Sequence, residues 1–300
     1  MQAPPERVFT GQAVGVITLR DLTMTSGAQG YALGAIQQST VIAETADGGA
    51  TWSAVGLSLP DLLPGDRTTV VGFGQPGGLA GPVGLFELNP LTSKVAFQGE
   101  LLDANWARGA RLGSARIMRV DSSLAYAFVS KQKSSGFGGA LVETTNSGSS
   151  WTPLGDPCGG MDFEVRLSAP SPGVVWMGCG SVPSTGNQLK AVYRSDDAGA
   201  SWLKVWDGVV SQGKTIMEGY MSSLVAVNSM QAYIGLGRGP LLQTFDGGAT
   251  WMTAVPEIGG SGGVEDVDAL SSEQAWAVIG GGRMWRTTDG TSWSQVRSAG

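Results

Sequence analysis

Thr244-Phe-Asp246-Gly-Gly248-Ala-Thr250-Trp251 is one of five near-copies of a single phrase in this chain. The others are Thr45-Ala-Asp47-Gly-Gly49-Ala-Thr51-Trp52, Thr144-Thr-Asn146-Ser-Gly148-Ser-Ser150-Trp151, Ser195-Asp-Asp197-Ala-Gly199-Ala-Ser201-Trp202 and the shorter Thr287-Thr-Asp289-Gly290-Thr-Ser-Trp293. The carboxylate or amide at the third position can accept hydrogen bonds from backbone N–H groups two or three residues on, an Asx-type turn. The glycine that follows supplies a positive φ that other residues resist. The hydroxyls can hold the remaining turn amides, and the Trp opens the next strand and carries a large apolar body inward. Each copy is expected to be a β-hairpin corner with a Trp anchor.

The spacing arranges the corners. Trp52 to Trp151 is 99 residues, Trp151 to Trp202 is 51, Trp202 to Trp251 is 49 and Trp251 to Trp293 is 42. The first gap is about twice the rest, so one unit lacks the phrase. Six units follow, approximately 13–58, 59–108, 109–156, 157–208, 209–256 and 257–300, each of a size for four short strands. Those are the dimensions of a β-propeller blade. The expected fold is all-β, one propeller of six blades with four antiparallel strands each, seven blades being the alternative.

Strand patterns agree. Gly30-Tyr31-Ala-Leu-Gly34, Ala125-Tyr126-Ala-Phe-Val129, Val174-Val-Trp176-Met-Gly178, Gln231-Ala-Tyr233-Ile-Gly235 and Gln274-Ala-Trp276-Ala-Val278 each precede a corner. Short β-branched and aromatic runs bounded by Gly, Ser and Asp read as strands. Another short strand lies upstream of each, as in Ile17 to Leu22 and Val264 to Leu270. No stretch has a convincing helical period.

The phrase resembles the Asp-box (BNR) repeat of sialidase-like β-propellers, and the blade wording is most similar to Ycf48/Hcf136-type proteins. The resemblance covers nearly the whole chain and is weakest over 60–108. It implies the propeller fold and structural corners; enzymes, sorting receptors and assembly factors of this superfamily share both, so fold alone names no activity.

Composition sets further bounds. The 300-residue chain has 47 glycines and 15% charged residues, as a turn-rich β protein would, and suffices for one closed propeller. A net charge of -6 argues against a nucleic-acid surface, which concentrates Lys and Arg. The absence of histidine removes Ser-His-Asp hydrolysis and histidine-based metal catalysis. No cofactor and no metal are expected, and a monomer without direct membrane insertion is. Met1-Gln-Ala-Pro4-Pro5-Glu reads as a linker behind an added start Met, so an excised extracytoplasmic or secreted domain is expected. Residues 1–12 are expected to be flexible, or Arg7-Val-Phe9-Thr to close the ring as an added strand.

In a blade the Asp box joins the third and fourth strands, which defines the bottom. Cys158, entering the fourth unit, and Cys179, ending its second strand, then both fall at the top. They form either a disulfide, which suits an exported protein, or two buried thiols. The same geometry puts the long top loops at Lys131 to Gly139, which includes Lys133 and Phe137, at Ser181 to Lys190, and at Asp207 to Gly219 with Lys214 and Glu218. Short glycine-rich turns carry Arg238 and Arg283. Recognition on a repeated scaffold resides in such loops.

Inner strands carry Arg20, Asp21, Arg116, Arg119, Glu164, Arg166, Glu265, Asp266 and Asp268. Charges in a narrow channel are costly unless paired, so salt bridges or trapped waters are expected there; an anion or sugar site of Arg20, Arg166 and Arg283 is the functional alternative. Four of the 13 arginines fall between Arg108 and Arg119, which the Ycf48-type resemblance reads as a docking patch and plain chemistry as a solvated edge. A sialidase would need three arginines on the substrate carboxylate, a Tyr–Glu nucleophile and an Asp acid/base. Its Arg-Ile-Pro signature is missing, with Arg116-Ile117-Met118 as the nearest echo. The function read from these residues is a non-enzymatic module that binds a protein or glycan through top-face loops, with a sialidase-like glycoside hydrolase as the alternative.

Overall fold

The computed structural model describes residues 18–36, 39–55, 69–73, 83–89, 94–102, 111–133, 136–184, 186–207, 219–256 and 262–297. The expected N-terminal segment 1–12 and the loop residues Lys214 and Glu218 lie outside them, as does Asn105 to Arg108. Among the described residues there are six sheets, all antiparallel. The first has β1 (Thr18–Met24), β2 (Gly30–Ile36), β3 (Ser39–Thr45) and β4 (Ser53–Val55). The second, where the phrase is missing, has three strands, β5 (Thr69–Phe73), β6 (Val83–Asn89) and β7 (Lys94–Leu102). The third has β8 (Arg111–Arg119), β9 (Ala125–Lys133), β10 (Gly136–Thr144) and β11 (Thr152–Gly155).

The fourth sheet has β12 (Glu164–Ser171), β13 (Val174–Gly180), β14 (Lys190–Ser195) and β15 (Leu203–Asp207). The fifth has β16 (Met221–Ala226), β17 (Ala232–Leu236), β18 (Leu241–Thr244) and β19 (Met252–Val255), and the sixth β20 (Val264–Ala269), β21 (Ala275–Ile279), β22 (Arg283–Thr287) and β23 (Trp293–Arg297). Each sheet is a meander in chain order. First strands of successive sheets touch, from β5 to β8, β12, β16 and β20, and β20 touches β1. The last sheet therefore meets the first, as a ring of blades requires. It does so with four strands of its own.

The core lies in layers between sheets. Trp176, Val192, Leu224, Ile234 and Trp251 fill the layer between the fourth and fifth sheets. Leu22, Met24, Ala43, Trp276 and Met284 fill the one between the sixth and first. The second-strand aromatics Tyr126, Trp176, Tyr233 and Trp276 are fully buried, each contributing about 2–3 kcal/mol of apolar transfer. Among the described residues no helix is long and apolar enough to cross a membrane.

Candidate functional site

Every Asp-box phrase sits between the third and fourth strands of its sheet. In the second copy from the C-terminus, Asp246 Oδ1 accepts from Thr250 N at 2.9 Å and Oδ2 from Thr250 Oγ1 at 2.6 Å. Thr244 Oγ1 donates to Asp246 and accepts from Gly248 N, both at 2.9 Å. Asp47 and Asp197 repeat this pattern. Asn146 Oδ1 takes the Ser150 amide, and its Nδ2 donates to Ser150 Oγ. The bonded amide is thus four residues on, not two or three, because the full-length loop has room for a wider ring. Only the short copy shows the tighter form, Asp289 accepting from Thr291 N and Ser292 N at 2.8 and 2.6 Å. These bonds hold the carboxyls of Asp47, Asp197, Asp246 and Asp289 below the usual carboxylate range.

The glycines that follow the Asp or Asn, Gly49, Gly148, Gly199, Gly248 and Gly290, all have positive φ. Trp52 and Trp202 each donate Nε1 to their own glycine's carbonyl at 3.0 Å, from Gly49 and Gly199. Trp251 is buried, and Trp151 and Trp293 are half-buried. Tyr233 packs edge-on against Trp293. In all five corners the Asp or Asn side-chain oxygen accepts from the corner's own hydroxyls and amides, and the corners stand at one end of the sheets.

The opposite end is the upper rim. There a disulfide joins Cys158, in the β11–β12 connection, to Cys179 near the end of β13. Around it Asp156 accepts from Cys158 N, Gly159 N and Gly139 N, while Asp162 Oδ2 accepts from Gly160 N. These two carboxylates lie close to the Cys158 sulfur. As a half-cystine that sulfur is not a thiolate ligand.

The candidate ligand residues fall in different places. Lys131 is half-buried near the end of β9, and Phe137 is the second residue of β10, its ring edge-on to Phe163 with centroids 5.3 Å apart. Arg238 is exposed on the β17–β18 turn, its guanidinium 5.3 Å from the Tyr220 ring. Arg283 opens β22 and donates Nη1 to Gly280 O at 2.9 Å. These four share the upper rim. Arg166 lies just below it on β12 and is bound to Glu164 at 2.6 Å, to Ser222 O at 2.6 Å and to Val165 O. Gln188 donates to the other Glu164 oxygen.

Arg116 is exposed farther toward the bottom of β8, opposite Phe128. Arg20 is the extra residue of a β-bulge in β1, the place Ser222 and Glu265 take in β16 and β20; its side chain and that of Lys133, at the end of β9, are outside the described part. Lys190, part of a long loop by sequence, instead starts β14 fully buried, its Nζ bonded to Gln188 O and Gly219 O at 2.8 and 2.7 Å.

Inner-strand charges are not all paired with one another. Asp266 and Asp268 accept backbone amides of the first sheet, Leu22 N at 2.8 Å and Met24 N at 2.6 Å. A contact between residues 244 apart has no local signature in sequence. Sequence reasoning also passed over the rim's exposed apolar side chains, Phe163, Val182 and Leu189, at 38, 55 and 56% exposure. An apolar residue inside a Ser/Gly/Pro loop, as Val182 is, was the available signal.

No protein-family model and no curated protein matches the chain. Among solved structures, the Hadza microbial sialidase Hz136 is 15% identical over 94% of this chain and 64% of its own, with a TM-score of 0.51. YCF48 from Cyanidioschyzon merolae is 18% identical over 96% of this chain and 88% of its own, with a TM-score of 0.46. YCF48 bound to a D1 peptide is 18% identical over 95% and 82%, also at 0.46. The fold is an all-β propeller with Asp-box corners, and the sialidase Hz136 shares it.

Proposed function

We propose that this Asp-box β-propeller is an exported, non-catalytic scaffold whose upper rim binds a polypeptide partner. The observation that carries this is the exposure of Phe163, Val182 and Leu189 on the rim. Apolar side chains left in water on a rigid frame are worth covering, and a contiguous patch of them marks an interaction surface. Two of the three, Val182 and Leu189, are aliphatic and suit a polypeptide better than a sugar, which needs polar groups aimed at its hydroxyls. The corner acids are committed to turn hydrogen bonds, and Glu164 and Arg166 to each other. That supports a binding role over acid–base chemistry. Export is favoured by the Cys158–Cys179 disulfide, a bond that persists in oxidising compartments.

Selection from a random dodecapeptide display library tests the reading. Wild-type protein should enrich specific sequences, and the triple variant Phe163→Ser, Val182→Ser, Leu189→Ser should enrich none while keeping its melting temperature. Enrichment unaffected by the triple variant would overturn the proposal. So would turnover of 4-methylumbelliferyl sialoside or glucoside by the wild-type protein.

A further inference from the structure

The geometry points to a specific chemistry for that partner: an apolar peptide segment carrying an adjacent carboxylate, its apolar side chains on the Phe163–Val182–Leu189 strip and its carboxylate on Arg238. This rests on the polypeptide-binding reading above and goes on to name what the rim selects. The segments that carry these side chains adjoin one another. Phe137 packs on Phe163, Phe163 N bonds to Gly180 O at the end of β13, and the Ser181 N to Leu189 O bond at 2.9 Å sets the segment of Val182 beside that of Leu189.

Arg238 stands at the end of this strip. A Cβ placed on Gly186, in the same hairpin as Val182 and Leu189, would lie 2.9 Å from Arg238 Nη1. The guanidinium is held in place from below by the Tyr220 ring. Its backbone is equally fixed. Gly237 N bonds to Tyr220 O at 2.8 Å and Gly263 N to Gly237 O at 3.2 Å. A Cβ on Gly263 would come within 2.5 Å of Arg238 N, so only a bare backbone fits under this turn. Among the described residues Arg238 has no carboxylate partner. The rim's own acids are directed elsewhere, Glu164 to Arg166 and Gln188, and Asp156 to three backbone amides.

An exposed, pre-oriented guanidinium beside an apolar strip is complementary to one kind of ligand. Arginine's planar fork takes a carboxylate through two parallel bonds. Apolar contact supplies attraction and the charge supplies selection. A peptide offering only apolar groups would leave Arg238 unmatched, and one offering only acids would leave the strip in water.

The test uses two sets of fluorescein-labelled decapeptides with identical apolar positions drawn from Leu, Val and Phe. One set has Asp or Glu at three consecutive positions; the other has Asn or Gln there. Fluorescence anisotropy with wild-type protein should show the acidic set binding about tenfold tighter, with the difference shrinking as salt rises. Arg238→Gln should erase the difference between sets, and Val182→Ser with Leu189→Ser should weaken both. Equal binding of the two sets by wild-type protein overturns the inference, as does an acidic preference that survives Arg238→Gln. Display selection that enriches peptides without acids would leave the polypeptide reading standing and remove this one. Binding to phosphatidylglycerol vesicles that competes with the acidic peptides would also overturn it, in favour of a lipid surface. Circular dichroism melting of each variant separates loss of binding from loss of fold.

Discussion

Asp246 shows how little of an Asp box is spare. Its two oxygens take three hydrogen bonds, from Thr244 Oγ1, Thr250 N and Thr250 Oγ1. Asp246→Ala leaves those donors to water at a surface corner, and should cost about 1–2 kcal/mol. Asp246→Asn should cost well under half of that, because Asn146 already fills the equivalent place with both ends of its amide engaged. Urea unfolding of the two variants distinguishes them; an alanine variant as stable as wild type would remove the structural role of the motif. The position directly after the Asp or Asn is equally informative. Gly48 and Gly247 have φ of 72° there, whereas Ala198 and Ser147 are forced to 59° and 60°. Left-handed backbone costs an L-residue about 1–2 kcal/mol, part of which a glycine returns by loosening the unfolded chain. Ala198→Gly should therefore stabilise by roughly 0.5 kcal/mol. Ser147→Gly should gain less, since Ser147 Oγ donates to Ser122 O. A destabilised Ala198→Gly variant would contradict the strain.

At the scale of strands and connections, the disulfide closes the segment that brings the chain into the fourth sheet. The sequence separation of 21 residues corresponds to about 3 kcal/mol in the chain-entropy account. The double variant Cys158→Ser, Cys179→Ser should lose about that much, with the first sign in thermal melting. Two titratable thiols in denatured, unreduced protein would refute the bond. Strand order, corner position and the end of the sheet holding both cysteines were legible beforehand, because each corner repeats hydroxyl, acid, glycine and Trp at fixed spacing. What was not legible is how blades grip each other. Trp176 opposes Arg194 and Trp276 opposes Arg286, and in both the guanidinium lies over the indole. Each indole then donates to the next sheet, to Asn228 O and to Gly48 O. Tyr31, Tyr126 and Tyr233 instead oppose Glu44, Glu143 and Gln243. The residues were visible, but their partners belong to the following repeat. The rim was half legible: loop length picked out Phe137, and a charge on a short glycine-rich turn picked out Arg238, while the exposure of Phe163 and Leu189 follows from how the disulfide-held connection meets the β13–β14 hairpin.

For the whole molecule the decisive contact is the seam where the sixth sheet meets the first. Between the fourth and fifth sheets, Ser168 Oγ, opposite Trp176, accepts Ala226 N at 2.9 Å. At the seam Asp268, opposite Trp276, does the same for Met24 N. A carboxylate thus stands where an internal junction uses a hydroxyl, and burial pushes its pKa up despite the amide it accepts. A carboxyl raised in the folded state contributes stability that is fully present below its unfolded value, near 4, and is lost as pH rises through the folded value. The corner acids act oppositely. Lowered in the fold, Asp47, Asp197, Asp246 and Asp289 contribute above their unfolded value and lose that contribution as pH falls through their folded values. Acid should therefore loosen the corners while easing the seam. Asp268→Asn isolates the seam, since its amide oxygen can still accept Met24 N without carrying a buried charge. The variant should be more stable than wild type at pH 7, and its advantage should shrink toward pH 4 as wild-type Asp268 takes up its proton. Urea midpoints measured across that range decide the matter: a variant less stable at pH 7 would mean that the charge itself, and not the hydrogen bond, holds the ring closed.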